Sequence, residues 1–87
     1  MWEAPTYEEL KAMYSEEVLW LCSINERYDN ENDIVKDIRG IYANLFMILT
    51  ERRDVAWRWE AGRNYAIAIT ELENSCIRAV KWFYSKD

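Results

Sequence analysis

Histidine is absent from this 87-residue chain, and glycine and proline are scarce, with two and one residues. Without histidine, the chain lacks the side chain that most often serves as a catalytic base or metal ligand near neutral pH. So little glycine and proline excludes a collagenous, low-complexity or turn-rich β protein. A chain this short has room for one hydrophobic core, so residues 1–87 are predicted to form a single domain.

Only two cysteines occur, Cys22 and Cys76, and neither belongs to a Cys-x-x-Cys pattern. This spacing does not suit a zinc site, and no metal or other cofactor is expected. Charged residues such as Glu3, Glu8 and Glu9 interrupt the stretch where a secretory signal needs its apolar core. No apolar run is long enough to span a bilayer. We expect a soluble cytoplasmic protein with two reduced, helix-packed thiols.

Apolar residues are abundant, at 51% of the chain, and thirteen residues are aromatic. A domain of this size buries a smaller share of its surface than a larger one, so it has little interior in which to hide them. Part of the apolar surface is therefore predicted to contact another chain. We expect an oligomer.

The charge is unevenly distributed. Residues 1–33 carry nine acids and two bases, a net charge of −7, whereas residues 34–87 carry nine bases and seven acids, a net charge of +2. The whole chain has a net charge of −5, so a basic groove for DNA or RNA is not expected. The asymmetry is typical of a subunit whose halves face different partners, and equally of a solvated acidic helix.

Three helices are predicted, over about 7–28, 33–53 and 63–85. Thr6 followed by Glu9 is a capping-box pattern that opens the first helix, in which apolar residues then recur at three- and four-residue spacing. The fold class is all-α. The short connections favour either a three-helix bundle or a helical hairpin with an N-terminal helical arm.

The second helix, capped by Asn32 or Asp33, is apolar over more than half its circumference. It is expected to lie between the other helices or at a subunit contact, with a close helix approach at Gly40. One of its apolar stripes consists of Ile34, Ile38, Ile41, Leu45, Ile48 and Leu49.

Residues 50–62 form a connection in which Gly62 is expected to end a short turn. The third helix then carries a heptad seam. The seam residues are Tyr65, Ile69, Leu72, Cys76, Ala79 and Phe83.

The sequence does not favour catalysis. Without histidine, a cysteine or serine nucleophile would need a lysine or carboxylate to activate it, and neither cysteine stands in a recognisable nucleophile motif. Gly40 and Gly62 are isolated, so no glycine-rich phosphate loop exists. The chain is predicted not to be an enzyme.

Two cation-rich stretches could bind an anion. Lys36 and Arg39 lie near the start of the second helix, where free backbone N–H groups would reinforce them. The alternative is that they only counter the acids at 29–33.

The other stretch surrounds Trp57 and Trp59 with arginines that suit a nucleotide. The alternative there is that the tryptophans close the end of the bundle. The arginines are Arg52, Arg53, Arg58 and Arg63.

The segment 63–80, RNYAIAITELENSCIRAV, resembles the C-terminal helix of the phage anti-CBASS cyclic-oligonucleotide sponges. Thr70 with Glu71-Leu72-Glu73 and the pair Arg78-Ala79 carries most of this resemblance. The segment 33–40, DIVKDIRG, is similar to an upstream helix of the same family. The two segments together cover roughly half of the chain.

The resemblance implies a small helical protein that assembles into compact oligomers, commonly hexamers. It implies that the chain binds cyclic di- or trinucleotides between subunits without breaking a bond, and so blocks antiviral defence in the cytoplasm of a host bacterial cell. The family's phosphate-binding lysine falls on Lys36, and Tyr28 is the candidate stacking aromatic. Ile69 stands where some members have arginine, which bears against a trinucleotide pocket. The candidate ligand-binding residues are Lys36, Arg39, Tyr28, Arg63 and Thr70.

Two alternatives remain open. An acidic helical inhibitor could bind a host defence protein by mimicking the charge of nucleic acid, which accounts better for residues 1–33. A structural or protein-interaction helix bundle would need no ligand. No membrane partner and no DNA or RNA polymer is expected under any of the three.

Overall fold

The computed structural model describes residues 4–85, which form a helical hairpin with an N-terminal arm. The arm contains α1 (Tyr7–Met13), α2 (Glu16–Leu21) and a 3₁₀ turn (Tyr28–Asn30). The hairpin contains α3 (Asp33–Val55) and α4 (Trp59–Ser85), which pack along each other. The all-α prediction is confirmed. None of the helices within the described residues is long and apolar enough to cross a membrane.

The prediction of one continuous helix over 7–28 is wrong. The Thr6–Glu9 capping box does open α1, but Tyr14 is extended, with φ −124° and ψ 153°. Ser15 then caps a new helix, because its hydroxyl accepts a hydrogen bond from the Val18 N–H at 3.2 Å. A serine side chain competes for backbone hydrogen bonds in this way and favours a helix start over a helix interior.

The apolar pattern of the arm nevertheless predicted burial well. Seven apolar residues of the arm recur at three- and four-residue spacing, and six of them are buried although no single helix holds them, while Met13 is exposed. The break at Tyr14 lets two short helices bury their apolar residues in one core cluster with residues of α3 and α4. The six buried residues are Leu10, Tyr14, Val18, Leu21, Ile24 and Tyr28.

The hairpin helices are longer than the sequence indicated. Of the two predicted caps, Asn32 is the one that caps α3, accepting from the Ile34 N–H at 2.8 Å, but the helix continues to Val55. α4 begins at Trp59, so most of the predicted connection 50–62 is helical and the real connection is 56–58. Gly62 does not end a turn. Its N–H donates to the Arg58 carbonyl at 3.1 Å, in the first turn of α4.

The predicted seam of α4 faces the core. Ile69 and Cys76 are buried, the other four seam residues are half-buried, and the Tyr42 hydroxyl meets the Ser75 hydroxyl at 2.6 Å across the two helices. On α3, Phe46 and Ala43 are fully buried. α3 therefore packs against α4 on one side and against the arm on another. A third side of α3, which includes Ile41, is exposed.

Candidate binding site

The outer face of α4 carries an open groove with a volume of about 430 Å³. A second groove overlaps it and shares Asn74, Arg78 and Trp82. The side chains of the first groove include two cations, one large aromatic and two polar groups. These residues are Asn74, Ile77, Arg78, Lys81, Trp82 and Ser85. We call this the α4 groove.

Helical spacing places these side chains together. Residues 74, 77, 78, 81, 82 and 85 recur at three- and four-residue intervals, so they share one face of α4. Cys76 and Val80 lie on the opposite face, buried against the rest of the hairpin. The packing of α4 through its apolar seam therefore leaves the cation-rich face to the outside.

The groove is chemically suited to an anion that carries a planar group. Trp82 is 69% exposed, so most of its surface is free to stack. Neither Arg78 nor Lys81 forms an ion pair with another residue in the range 4–85. Asn74 and Ser85 add hydrogen-bonding groups that can read the edge of a ligand.

Arg39, a predicted ligand residue, is already occupied within the chain. Its Nε and Nη2 donate to both carboxylate oxygens of Glu31 at 2.8 and 2.9 Å, and its Nη1 donates to the Cys22 carbonyl at 2.7 Å. The Arg39 side chain is 11% exposed and that of Glu31 is 16% exposed. Burial lowers the pKa of Arg39, but the hydrogen bonds that Arg39 donates to Glu31 and the negative charge of Glu31 together outweigh burial, so the Arg39 pKa is raised. Arg39 thus pairs with Glu31, one of the acids at 29–33.

Lys36 and Tyr28 do lie together, but as an internal contact. The Lys36 ammonium is 5.7 Å from the centroid of the Tyr28 ring, within the range of a cation–π interaction. Tyr28 is completely buried, so its ring presents no face on which a base could stack. Burial, assisted by the charge of Asp29, raises the Tyr28 pKa to about 12. Its hydroxyl has no hydrogen-bond partner among the described residues.

Arg63 and Thr70 lie on the same outer face of α4 as the groove. Thr70 is exposed, one turn before Asn74, and its hydroxyl donates to the Ala66 carbonyl at 3.2 Å. Arg63 is exposed and precedes Asn74 by about 16 Å along the helix axis. The structure therefore separates the five predicted residues into two groups, with only Thr70 adjacent to the α4 groove.

The tryptophans of the connection do not close the end of the bundle. Trp57 is 85% exposed and Trp59 is 75% exposed. The Arg58 guanidinium carbon stands 4.9 Å from the centroid of the Trp57 ring. A smaller groove of about 220 Å³ is lined by Trp57 and Arg58, so the tip of the hairpin is a second exposed aromatic surface.

Several acids of the arm have partners inside the chain. The Glu17 carboxylate accepts two hydrogen bonds from Arg53, both at 2.8 Å, and Glu31 pairs with Arg39. Asp29 accepts from the Tyr7 N–H at 2.9 Å, and Glu9 caps α1. Much of the negative charge of residues 1–33 thus attaches the arm to the hairpin or stabilises its local structure.

Sequence reasoning did not single out Asn74, Lys81 and Trp82, which line the α4 groove. Arg78 stood within the segment that resembles the sponge family, but it received no role. A usable signal was present, because Arg78 and Lys81 are cations three residues apart on the face opposite the predicted seam. The same periodicity bears on Trp82, which follows Arg78 by four residues and does not belong to the seam.

Comparison with known proteins finds no similarity, because no family model, no curated protein and no solved structure matches this chain. The resemblance of 63–80 to the sponge family stays a prediction. Among residues 4–85, no group of three or more histidine, cysteine, aspartate or glutamate side chains is arranged to hold a metal ion.

Proposed function

We propose that this chain is a non-catalytic binding protein that captures an anionic ligand with a planar aromatic part, such as a cyclic di- or trinucleotide, in the α4 groove. The observation that carries the proposal is the exposed Trp82 beside Arg78 and Lys81, two cations without an ion-pair partner among the described residues. A guanidinium binds phosphate in a fork, an ammonium adds a point charge, and an indole stacks on a base. The groove also overlaps the segment that resembles the sponge family.

One helix supplies only one wall of such a site. All the residues of the α4 groove belong to α4, so the ligand would remain half in water unless another chain covered it. The working unit we propose is therefore a homo-oligomer that encloses the ligand between subunits. It would sequester the nucleotide in the host cytoplasm without converting it, which is the sponge activity that the resemblance implies.

Isothermal titration calorimetry with cyclic di- and trinucleotides tests this proposal. We expect micromolar or tighter binding to the native chain, and at least a tenfold loss in Trp82→Ala and in Arg78→Ala. Arg58→Ala is the matched control, because it removes an exposed cation beside a tryptophan at the other end of α4. Absence of heat with every cyclic nucleotide would contradict the proposal.

Lys36→Ala distinguishes this location from the one that the resemblance implies. Lys36 contacts the buried Tyr28 ring, so its loss should leave the affinity within about twofold of native. If Lys36→Ala abolishes binding while Arg78→Ala does not, the ligand lies near the start of α3 and the α4 groove is not its site.

A protein-interaction subunit without a small ligand is the second candidate. It is favoured by the exposure of Trp20, Trp57 and Trp59, three large aromatic residues on surfaces other than the α4 groove. Oligomeric mass together with silent calorimetry would favour this candidate over nucleotide capture. The acidic inhibitor is less well supported, because Glu17 and Glu31 are paired within the chain.

A further inference from the structure

One side of α3 carries a second unpartnered surface, distinct from the α4 groove. Its residues recur at alternating four- and three-residue spacing along the whole helix, and six of the seven are apolar. Five of these apolar side chains are between 42% and 70% exposed, and Ile38 is half-buried. The residues are Ile34, Ile38, Ile41, Leu45, Ile48, Arg52 and Val55. We call this surface the α3 stripe.

Within the described residues 4–85, no other segment covers the α3 stripe, because its apolar side chains stay half-buried or exposed. Tyr42 and Phe46 face α4, and the Tyr14 hydroxyl of the arm donates to Asn44 beside the stripe. From Ile34 to Val55 the stripe extends about 32 Å along the helix axis. A continuous apolar surface of this length is unfavourable in water and is typical of an interaction site.

The spacing identifies the kind of partner. Apolar residues that repeat every 3.5 residues form the contact line of two helices packed side by side, with the side chains of each fitting between those of the other. A second copy of this chain offers a stripe of the same length, spacing and composition. Pairing of identical surfaces about a two-fold axis is the commonest form of protein association.

Charge selects the orientation of the two helices. In a parallel pair, the two Arg52 side chains would face each other inside an apolar contact, which is repulsive. In an antiparallel pair, Arg52 instead lies near the partner's Asp37, beside Glu51 of its own helix. Antiparallel packing therefore avoids the repulsion between the two Arg52 side chains and brings each of them near an acid of the other copy.

We infer that this chain self-associates through the α3 stripe as an antiparallel, two-fold symmetric pair. In this register Ile41 packs near the partner's Ile48, Ile34 packs near the partner's Val55, and Leu45 lies close to the symmetry axis. The pairing is independent of any ligand, and it leaves the α4 groove outside the contact. Larger assemblies are compatible with it provided that they contain an even number of chains.

Native mass spectrometry and light scattering after gel filtration test the pairing. We expect the native chain to have the mass of an even number of chains. Ile41→Glu combined with Ile48→Glu should lower that mass at least twofold, with unchanged helical circular dichroism. The matched control is Ile67→Glu combined with Tyr84→Glu, two exposed residues of α4 that do not line the α4 groove, which should leave the α3 pair intact.

Disulfide trapping tests the orientation, using the buried Cys22 and Cys76 as an unreactive background. On mild oxidation Leu45→Cys should crosslink to itself, and Ile34→Cys should crosslink to Val55→Cys in a mixture but not to itself. Self-crosslinking of Ile34→Cys would overturn the antiparallel arrangement. A native chain that stays monomeric at millimolar concentration would overturn the pairing. So would an assembly whose mass is the same in the native chain and in the Ile41→Glu, Ile48→Glu chain. Neither of these last two results depends on nucleotide binding, which the calorimetry measures separately.

Discussion

Ser23 shows how a single residue shapes the arm. Its φ is 56°, the left-handed conformation, in which glycine is the usual residue. The Ser23 N–H donates to the Trp20 carbonyl at 3.0 Å, and the Ile24 N–H donates to the Leu19 carbonyl at 2.9 Å. These two bonds form a Schellman motif, and the buried Leu19 and Ile24 supply its apolar contact. The end of α2 is thus favoured by packing although the backbone of Ser23 is strained.

Ser23→Gly should relieve this strain. Glycine has no Cβ to clash in the left-handed region, although it loses more conformational entropy on folding than serine does. We expect the free energy of unfolding to rise by about 0.5–1 kcal/mol in urea denaturation. Ser23→Ala is the control and should give no gain, because alanine retains the Cβ. A Ser23→Gly chain less stable than native would contradict this account.

Tyr28 and Thr70 differ in how far the sequence could predict their roles. Tyr28 is the last member of the apolar pattern of the arm, and that pattern correctly predicts its burial. Its role as a stacking aromatic rested on proximity to Lys36, and proximity along the chain does not reveal which face of a ring is covered. Thr70 lies opposite the heptad seam of α4, so its exposure followed from helical periodicity alone.

At the scale of elements, the arm is attached to the hairpin by a charge contact that links distant parts of the sequence. Glu17 of α2 and Arg53 near the end of α3 form a two-bond ion pair, and Arg53 also contacts Asp54. The hydrogen bond from Arg53 is the main reason why the pKa of Glu17 is lowered. The acidic arm and the more basic hairpin are therefore partners within one chain.

The Glu17–Arg53 pair should make the attachment of the arm sensitive to acid. A carboxylate whose pKa is lowered by folding stabilises the fold above its ordinary pKa of 4.5, and this stabilisation disappears as pH falls through the lower, folded value. At pH 7 we expect Glu17→Gln to cost about 0.2–1 kcal/mol, because the pair is partly exposed.

Urea denaturation at pH 7 and pH 3 measures this effect. The difference between native and Glu17→Gln should shrink toward zero at pH 3. Glu16→Gln is the matched control, since Glu16 lies in the same first turn of α2 and forms no ion pair with another residue in the range 4–85. A difference that persists unchanged at pH 3 would show that Glu17 acts through something other than its charge.

The prediction of one continuous helix over 7–28 is wrong for a physical reason. Three- and four-residue spacing from Leu10 to Tyr28 is satisfied by a continuous helix and also by two short helices that turn toward the same core. Ser15 was the local signal that separates them, because its hydroxyl can cap a helix that begins at Glu16. The spacing of apolar residues predicts which side chains are buried. It does not reveal a break in the helix when the residues on both sides of the break pack into the same core.

At the scale of the whole molecule, the reactivity of the two thiols indicates whether the core is closed to solvent. Cys22, just after α2 in the arm, is fully buried, and Cys76 of α4 is almost fully buried. Burial, together with the charge of Cys76, raises the pKa of Cys22 to about 12, and burial also raises the pKa of Cys76. Only the thiolate reacts with alkylating reagents, so both cysteines should be inert in the native fold.

Alkylation by iodoacetamide at pH 8, followed by mass spectrometry, checks this expectation. The native chain should take up label at least a hundredfold more slowly than the chain in urea. The free energy of unfolding should also fall as pH rises above about 9, because the thiols of the unfolded chain ionise there while the buried ones stay protonated. Rapid labelling of either cysteine under native conditions would mean that the arm opens readily.

Local patterns in the sequence determined the helical class, the capped starts of α1 and α3, and the buried seam of α4. Each of these depends on side-chain periodicity or on a hydrogen bond between residues within one helical turn, so neighbouring residues suffice. The excess of apolar and aromatic residues also predicted surfaces that another chain could cover.

The tertiary structure decided which faces remain exposed. In the sequence, Arg39 and Arg53 look like cations without a partner, but folding pairs them with Glu31 and Glu17. Folding also buries the Tyr28 ring, which Lys36 contacts. The α3 stripe and the α4 groove are exposed because each helix packs through its other sides. Periodicity defines the faces of a helix, but long-range contacts assign those faces to the core or to the surface.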